Sequence, residues 1–128
     1  FRPHAIVHLA EQRAAPYSMK NERTRKYTVE NNINATHNCL NVIVECDPDM
    51  HLIHLGTMGG YGYGAVPDTV IPEGYVKVKM QDRFQKWGDC EIMHPYYPGS
   101  VYHTTKCLDN ALMSFYAKNY NLQITDLP

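Results

Sequence analysis

Ser100-Val-Tyr-His-Thr-Thr-Lys106 reads as the opening of a helix that runs to about Asn119. On a helix Tyr102 and Lys106 project from one face, one turn apart. An ammonium beside a phenol favours the phenolate, so this spacing predicts a tyrosine drawn down from its usual pKa of about 10 and usable as a general base. The helix gains its meaning from an earlier stretch, His51-Leu-Ile-His-Leu-Gly-Thr-Met-Gly-Gly60, a short apolar run that ends in a Gly-rich turn. It reads as a buried strand with a hydroxyl, Thr57, where the strand stops. In parallel α/β sheets ligands bind beyond the carboxyl ends of the strands, so the two stretches together predict an α/β fold with a site at Thr57.

The flanking segments extend that pattern. Ala5-Ile-Val-His-Leu9 is apolar and rich in β-branched residues, as a strand buried on both faces is, and Glu11 to Met19 is a loop containing Pro16. Asn21 to Val44 reads as one long helix, capped by Asn21 or Ser18. Its expected packing stripe is Tyr27, Asn31, Ala35, Asn38 and Val42, with Val29, Ile33, Leu40 and Ile43 at other packing positions. Cys46 to Asp49 forms the turn into the second strand. Residues 61–99 read as an irregular insertion near the site, with a strand over Glu73 to Met80 and a polar turn over Gln81 to Asp89 holding Trp87. Tyr61 to Gly64 is turn-like and His94 to Gly99 leads into the last helix, which is expected to pack Leu108, Leu112, Phe115 and Tyr116; Leu122 to Leu127 reads as a further strand. Strand, helix, strand, insertion, helix, strand implies parallel strands joined by right-handed crossovers.

Bulk properties exclude several classes. The chain has 128 residues and a formal net charge of -1, so it is one domain at most and carries no nucleic-acid footprint. No apolar run reaches the length of a membrane span, and no signal peptide is visible. Cys39, Cys46, Cys90 and Cys107 form no Cys-x-x-Cys pair and the histidines no zinc motif; His51 and His54 fall on opposite faces of a strand, so no metal is expected. Reduced thiols and a cytoplasmic setting are expected. The sequon Asn34-Ala-Thr36 lacks a secreted context.

Thr57 followed by Tyr102 and Lys106 matches the Ser/Thr-Tyr-Lys set of short-chain dehydrogenases. Four segments carry a closer likeness: His4 to Met19 with its Glu-Gln-Arg and Pro-Tyr-Ser-Met runs, Leu55 to Gly59, Glu73-Gly-Tyr75, and Tyr102-His-x-x-Lys106. On these the chain resembles the UDP-sulfoquinovose synthase family, a branch of the extended short-chain dehydrogenases of NAD-dependent epimerase/dehydratase type. The resemblance covers almost the whole chain, and it implies a partial Rossmann-like three-layer fold. No G-x-x-G-x-x-G or G-x-G-x-x-G is present, so the reading is of an internal portion. It would lack the N-terminal nucleotide-binding strands and most of the C-terminal substrate region, and be inactive alone.

The resemblance further implies UDP-glucose and sulfite, or another sulfur donor, as substrates, tightly bound NAD as hydride acceptor, and a homodimeric complete enzyme. It implies a plastid stroma in place of the cytoplasm if the source is a photosynthetic eukaryote. Tyr102, poised by Lys106 and assisted by Thr57, would take the 4-hydroxyl proton; the resulting 4-ketone would allow loss of water from C6 and addition of sulfite there. His103 is implied in the sulfite step, Arg13 in gripping bound ligand, and Asn31, the first of an Asn-Asn pair, near cofactor and substrate. One position departs: the family pattern Gly-Thr-Met-Gly-Glu-Tyr-Gly has Gly60 here in place of Glu. Alternatives are a UDP-sugar epimerase or 4,6-dehydratase and, in another class, a non-catalytic Rossmann-like sugar-nucleotide-binding module.

Overall fold

The structure, a computed structural model, describes residues 3–62, 75–93 and 96–128. Strands β1 (Ala5–His8) and β2 (His51–Leu55) are joined by a short helix α1 (Ala15–Ser18) and a long helix α2 (Glu22–Cys46). A single 3-10 turn (Met58–Tyr61) follows β2. Strands β3 (Tyr75–Gln81) and β4 (Trp87–Met93) then form a hairpin, after which helix α3 (Val101–Tyr120) leads to strand β5 (Ile124–Leu127).

β1, β2 and β5 form a parallel sheet in the order β1-β2-β5, with Ile6 level with Leu52 and Leu52 level with Ile124. The expected α/β architecture is therefore present. Both long helices pack on each other and on the same face of this sheet. Among the described residues the other face is uncovered, and Val7 and Leu55 stand about half exposed there.

Local signals set the helix bounds. Asn21 accepts from the Thr24 amide at 3.0 Å while its own amide donates to Thr24 Oγ1 at 3.1 Å, a closed capping box of a kind that contributes about 1 kcal/mol. Asp47 and Pro48 end α2 after Cys46. Ser100 caps α3 by accepting from the His103 amide at 3.2 Å, and Asn121, at φ 55°, closes it in the left-handed conformation.

Each element changes character at one level. Ile6, Leu52 and Ile124, toward the amino ends of the strands, meet Leu40, Ile43, Met50, Met113 and Leu122 in a hydrocarbon core. Toward the carboxyl ends the same sheet face presents His8, His54 and Asp126, side by side in register. Opposite them α2 turns in Thr28, Asn32 and Thr36, and α3 turns in Thr105, Lys106 and Asp109. The core is apolar below and polar above.

Four expectations are corrected. The buried stripe of α2 runs through Thr24, Thr28, Asn32, Thr36, Leu40 and Ile43, one position on from the expected stripe, and Tyr27 and Val42 are exposed. The threonines are inward because their hydroxyls find partners there: Thr28 accepts from Gln12 Nε2 at 3.1 Å, and Thr36 meets His8 at 3.2 Å. On α3, Leu108 and Phe115 are exposed, while Leu112 and Tyr116 do pack on the core. The loop after β1 contains a helical turn, with Pro16 in its first turn where no amide is needed. The polar turn is shorter than expected: it is confined to residues 82–86, and Trp87 begins a second strand that pairs antiparallel with β3. Gln85 takes φ 62° there, and Asp82 accepts from the Phe84 and Lys86 amides. Readings placed on Tyr63, Gly64, Glu73, Gly74, His94 and Pro95 lie outside the described residues.

Candidate active site

The carboxyl ends of β1 and β2 and the first two turns of α3 converge on Lys106. Two cavities meet there. One, of ≈ 330 Å³, is bounded by Glu11, Arg13, Leu55, Tyr102 and Lys106. The other, of ≈ 270 Å³, is bounded by Thr57, Gly60, Tyr96, Cys107, Asp126 and again Lys106. Lys106 and Gly56 form the partition.

Thr57 sits where the sequence puts it, at the end of β2, and caps the 3-10 turn by accepting from the Gly59 amide at 3.2 Å. Burial and then the Glu11 carboxylate hold the Tyr102 phenol above its usual pKa, and the nearby Thr57 hydroxyl opposes them by favouring the phenolate. This reverses the expected effect of Lys106. The ammonium is engaged elsewhere: it lies 3.0 Å from Glu11 Oε2 and 3.3 Å from His54 Nε2, and donates to the Leu55 carbonyl.

The other expected residues divide. Arg13 is exposed at the mouth of the first cavity. Asn31 bounds neither cavity and donates to Asn32 Oδ1 at 3.1 Å. It is Asn32 that is fully buried, joining Gln12 N at 2.8 Å, Gln12 O at 3.0 Å and Thr105 Oγ1 at 3.0 Å. That side chain ties the loop after β1 to both helices. Farther along, Ser18 ties α1 to α3 by accepting from the Tyr102 amide at 3.1 Å. His103 is 6% exposed and bounds neither cavity; its Nδ1 meets Ser100 Oγ at 3.1 Å. Burial lowers its pKa, and its ring lies against Gly59.

A Cβ at Gly59 would fall 2.4 Å from His103 Nε2, so Gly59→Ala must displace the ring or the turn. An overpacking loss of about 1–3 kcal/mol is expected in denaturant titrations, with much of it recovered in the Gly59→Ala/His103→Ala double variant. Additive losses in that pair would contradict the contact.

Gly60 is buried, and a Cβ there would meet Cys107 Sγ at 3.1 Å and Tyr96 Cδ1 at 3.5 Å. Burial pushes the Cys107 thiol up to about 11 and the Tyr96 phenol up to about 12, so both are neutral at physiological pH. The four cysteines are unbonded.

Behind Lys106 lies a group that the sequence reading did not assemble. His54 is fully buried, with Nδ1 2.7 Å from Asp126 Oδ1 and Nε2 3.1 Å from Glu11 Oε1. Burial alone would lower its pKa, but these two carboxylates outweigh it and the net direction is upward. Glu11 is held well below the carboxylate range: burial opposes this, and His54, His8 and Lys106 overcome it. Asp126 is likewise lowered, its burial outweighed by His54 and by Asn110, which donates to it at 2.9 Å. Asp109 goes the other way, pushed up to about 7 by burial and by Glu11. The available signal was a polar residue, His8, His54 or Asp126, near the carboxyl end of each of the three strands.

Comparison with known proteins supplies the family. The profile of the NAD dependent epimerase/dehydratase family matches residues 1–127. The chain belongs to that family. It is 38% identical over 129 aligned positions to a UDP-sulfoquinovose synthase of Sulfolobus acidocaldarius, covering 99% of this chain and 30% of that protein. It is 36% identical to the chloroplastic UDP-sulfoquinovose synthase of Spinacia oleracea, covering 99% of this chain and 25% of that protein. The chain thus spans under a third of the length of these relatives. Among solved structures, UDP-glucose 4-epimerase from Brucella ovis in complex with NAD superposes with a TM-score of 0.67 at 19% identity, over 97% of this chain and 30% of that one. A Thermus thermophilus UDP-glucose 4-epimerase complex gives 0.68 at 22% identity, over 98% and 33%. These structures share the fold. Among the described residues no helix is long and apolar enough to cross a membrane.

Proposed function

We propose that this sequence is the central part of a longer NAD-dependent nucleotide-sugar enzyme, of the kind that makes UDP-sulfoquinovose from UDP-glucose and a sulfur donor such as sulfite. The observation that carries the reading is the pair of cavities sharing Lys106, one lined by Tyr102 and the other by Thr57. Identity of 36–38% with two UDP-sulfoquinovose synthases supports the choice of reaction.

The cavity beyond β1 and β2, with Arg13 at its mouth and Lys106 at its floor, suits the nicotinamide end of NAD, being open at the strand ends where dinucleotides bind. When bound, NAD supplies a reversible hydride acceptor. The second cavity, with Thr57 and the hydrogen-bonding groups of Asn110 and Asp126, suits the sugar. Tyr102 takes the proton of the sugar 4-hydroxyl, and Thr57 donates to the phenolic oxygen and stabilises the charge that forms there. For Lys106 to assist, its ammonium must share itself between Glu11 and the phenol. Arg13 has the planar fork suited to phosphate oxygens. Neither His103 nor Asn31 bounds a cavity, so His103 acts through Ser100 and Gly59 and Asn31 through the Asn32 side chain.

The test is to incubate the complete protein with UDP-glucose, NAD and sulfite and to read the products by mass spectrometry. A sulfonated UDP-sugar is expected. Gly60 favours one second reading, because no carboxylate stands at that point of the sugar cavity wall. A sulfur-free isomer or dehydrated UDP-sugar would make the protein an epimerase or 4,6-dehydratase, and binding without turnover would make it a sugar-nucleotide module.

A further inference from the structure

We infer that Glu11 is a positioning residue that seats the Lys106 ammonium and thereby sets how readily Tyr102 can act as a base. The inference rests on the reading of Tyr102 as the proton acceptor and goes beyond it, to a side chain outside the Thr-Tyr-Lys set.

The geometry is that of a built cation seat. Glu11, His54 and Asp109 bring ligand-type atoms within 4.8 Å of one another, all from side chains no more than 4% exposed. The cation occupying it is Lys106 itself, 3.0 Å from Glu11 Oε2. The other Glu11 oxygen is fixed by two imidazoles, His8 Nε2 at 3.3 Å and His54 Nε2 at 3.1 Å. His54 is held from behind by Asp126 at 2.7 Å, while Thr36 reaches both His8 Nε2 at 3.2 Å and the same Glu11 oxygen at 3.3 Å. The carboxylate is therefore gripped by β1 and β2, with the lysine on its free oxygen. Cys39 of α2 is close enough to feel its charge. From α3 it faces Tyr102, Lys106 and the buried Asp109.

Two opposing consequences follow. The carboxylate pairs with a buried ammonium and fixes it at the junction of the two cavities, where an unpaired lysine would be costly. The same negative charge disfavours a phenolate at Tyr102 and offers Lys106 an alternative partner. Glu11 thus acts as a counterweight: it secures the lysine and restrains the tyrosine. A solvent-exposed glutamate could do neither, because water would screen it.

The test measures oxidation of UDP-glucose by the complete protein as a function of pH, with wild type, Glu11→Gln and Tyr102→Phe. Glu11→Gln keeps the shape and removes the charge, and its acid limb in kcat is expected about one pH unit below that of wild type, with the sugar KM within about twofold. An unmoved limb, with Tyr102→Phe inactive, overturns this inference and leaves the assignment of Tyr102 standing. Activity in Tyr102→Phe overturns that assignment instead.

A second measurement needs no substrate. Acylation of lysines by an amine-reactive ester, read by peptide mass spectrometry, is expected to be about tenfold faster at Lys106 in Glu11→Gln, with exposed Lys26 and Lys118 unchanged. Equal rates at Lys106 in the two proteins would also overturn the inference. Should Glu11→Gln not fold, Glu11→Asp withdraws the charge by one methylene and gives a smaller change of the same sign. Failure of both variants to fold makes Glu11 a purely structural residue, which rejects the positioning role.

Discussion

On the proposed function, Tyr102→Phe in the complete protein is expected to lower the rate of NAD reduction by about 10²–10⁴-fold, the range a positioned general base contributes, and to leave nucleotide-sugar binding within about twofold. Binding survives because phenylalanine keeps the aromatic body, which packs beside the His103 ring at a centroid distance of 5.1 Å. What is lost is the phenolic hydroxyl proposed to take the proton, which lines the first cavity beside Lys106. Burial and Glu11 hold the phenol above its usual pKa, so the wild-type rate is expected to climb with pH as the phenolate becomes populated. The measurement is the pH dependence of the first NADH absorbance change in both proteins. Undiminished turnover in Tyr102→Phe would remove Tyr102 from the mechanism.

Asp109→Asn stabilises the protein above neutral pH by up to about 4 kcal/mol, and by little near pH 4. Asp109 is fully buried, neither of its oxygens has a hydrogen-bond partner among the described residues, and its carboxyl is pushed from 3.8 to about 7. The sign follows from proton counting. Between those values the folded state keeps a proton that the unfolded chain has released, so stability falls as pH rises through the interval. Asparagine carries no proton to lose, and its amide can donate toward the neighbouring Glu11 carboxylate, within 4.8 Å. Glu11 and Asp126, whose values are lowered, contribute stability of the opposite pH dependence, lost in acid. Comparing variant with wild type at each pH removes that background. Equilibrium denaturation at pH 4 and pH 8 decides it, and an equal difference at both pH values would mean that Asp109 is ionised throughout.

The sequence disclosed the framework because each strand and helix carries its own local signal. Ala5-Ile-Val, the Asn21 cap, the Gly-rich turn after Leu55 and the Ser100 cap are readable from neighbours alone. Thr57, Tyr102 and Lys106 were legible for the same reason, since each stands at a fixed offset from an element boundary. The stripe of α2 was not. Hydrophobic periodicity assumes an apolar interior, and here Thr28, Asn32 and Thr36 face a polar one. Nor could Lys106 be assigned its partner, because Glu11 lies 95 positions away in the chain and reaches it only through the parallel pairing of β1 with β2. Asn32 rather than Asn31 is buried for a similar reason: the choice depends on where Gln12 and Thr105 come to rest.

The division of the core into an apolar lower half and a polar upper half bears on how stability responds to temperature. Exposing apolar surface on unfolding raises the heat capacity, whereas exposing polar surface lowers it. Leu40, Leu52 and Met113 push the heat-capacity change one way while His54, Asn32, Thr36 and Asp109 push it the other. This region therefore contributes a flatter stability curve than a hydrocarbon core of equal size, one that loses less on cooling. The chemistry gathered at the strand ends also broadens the range of temperatures over which its scaffold holds.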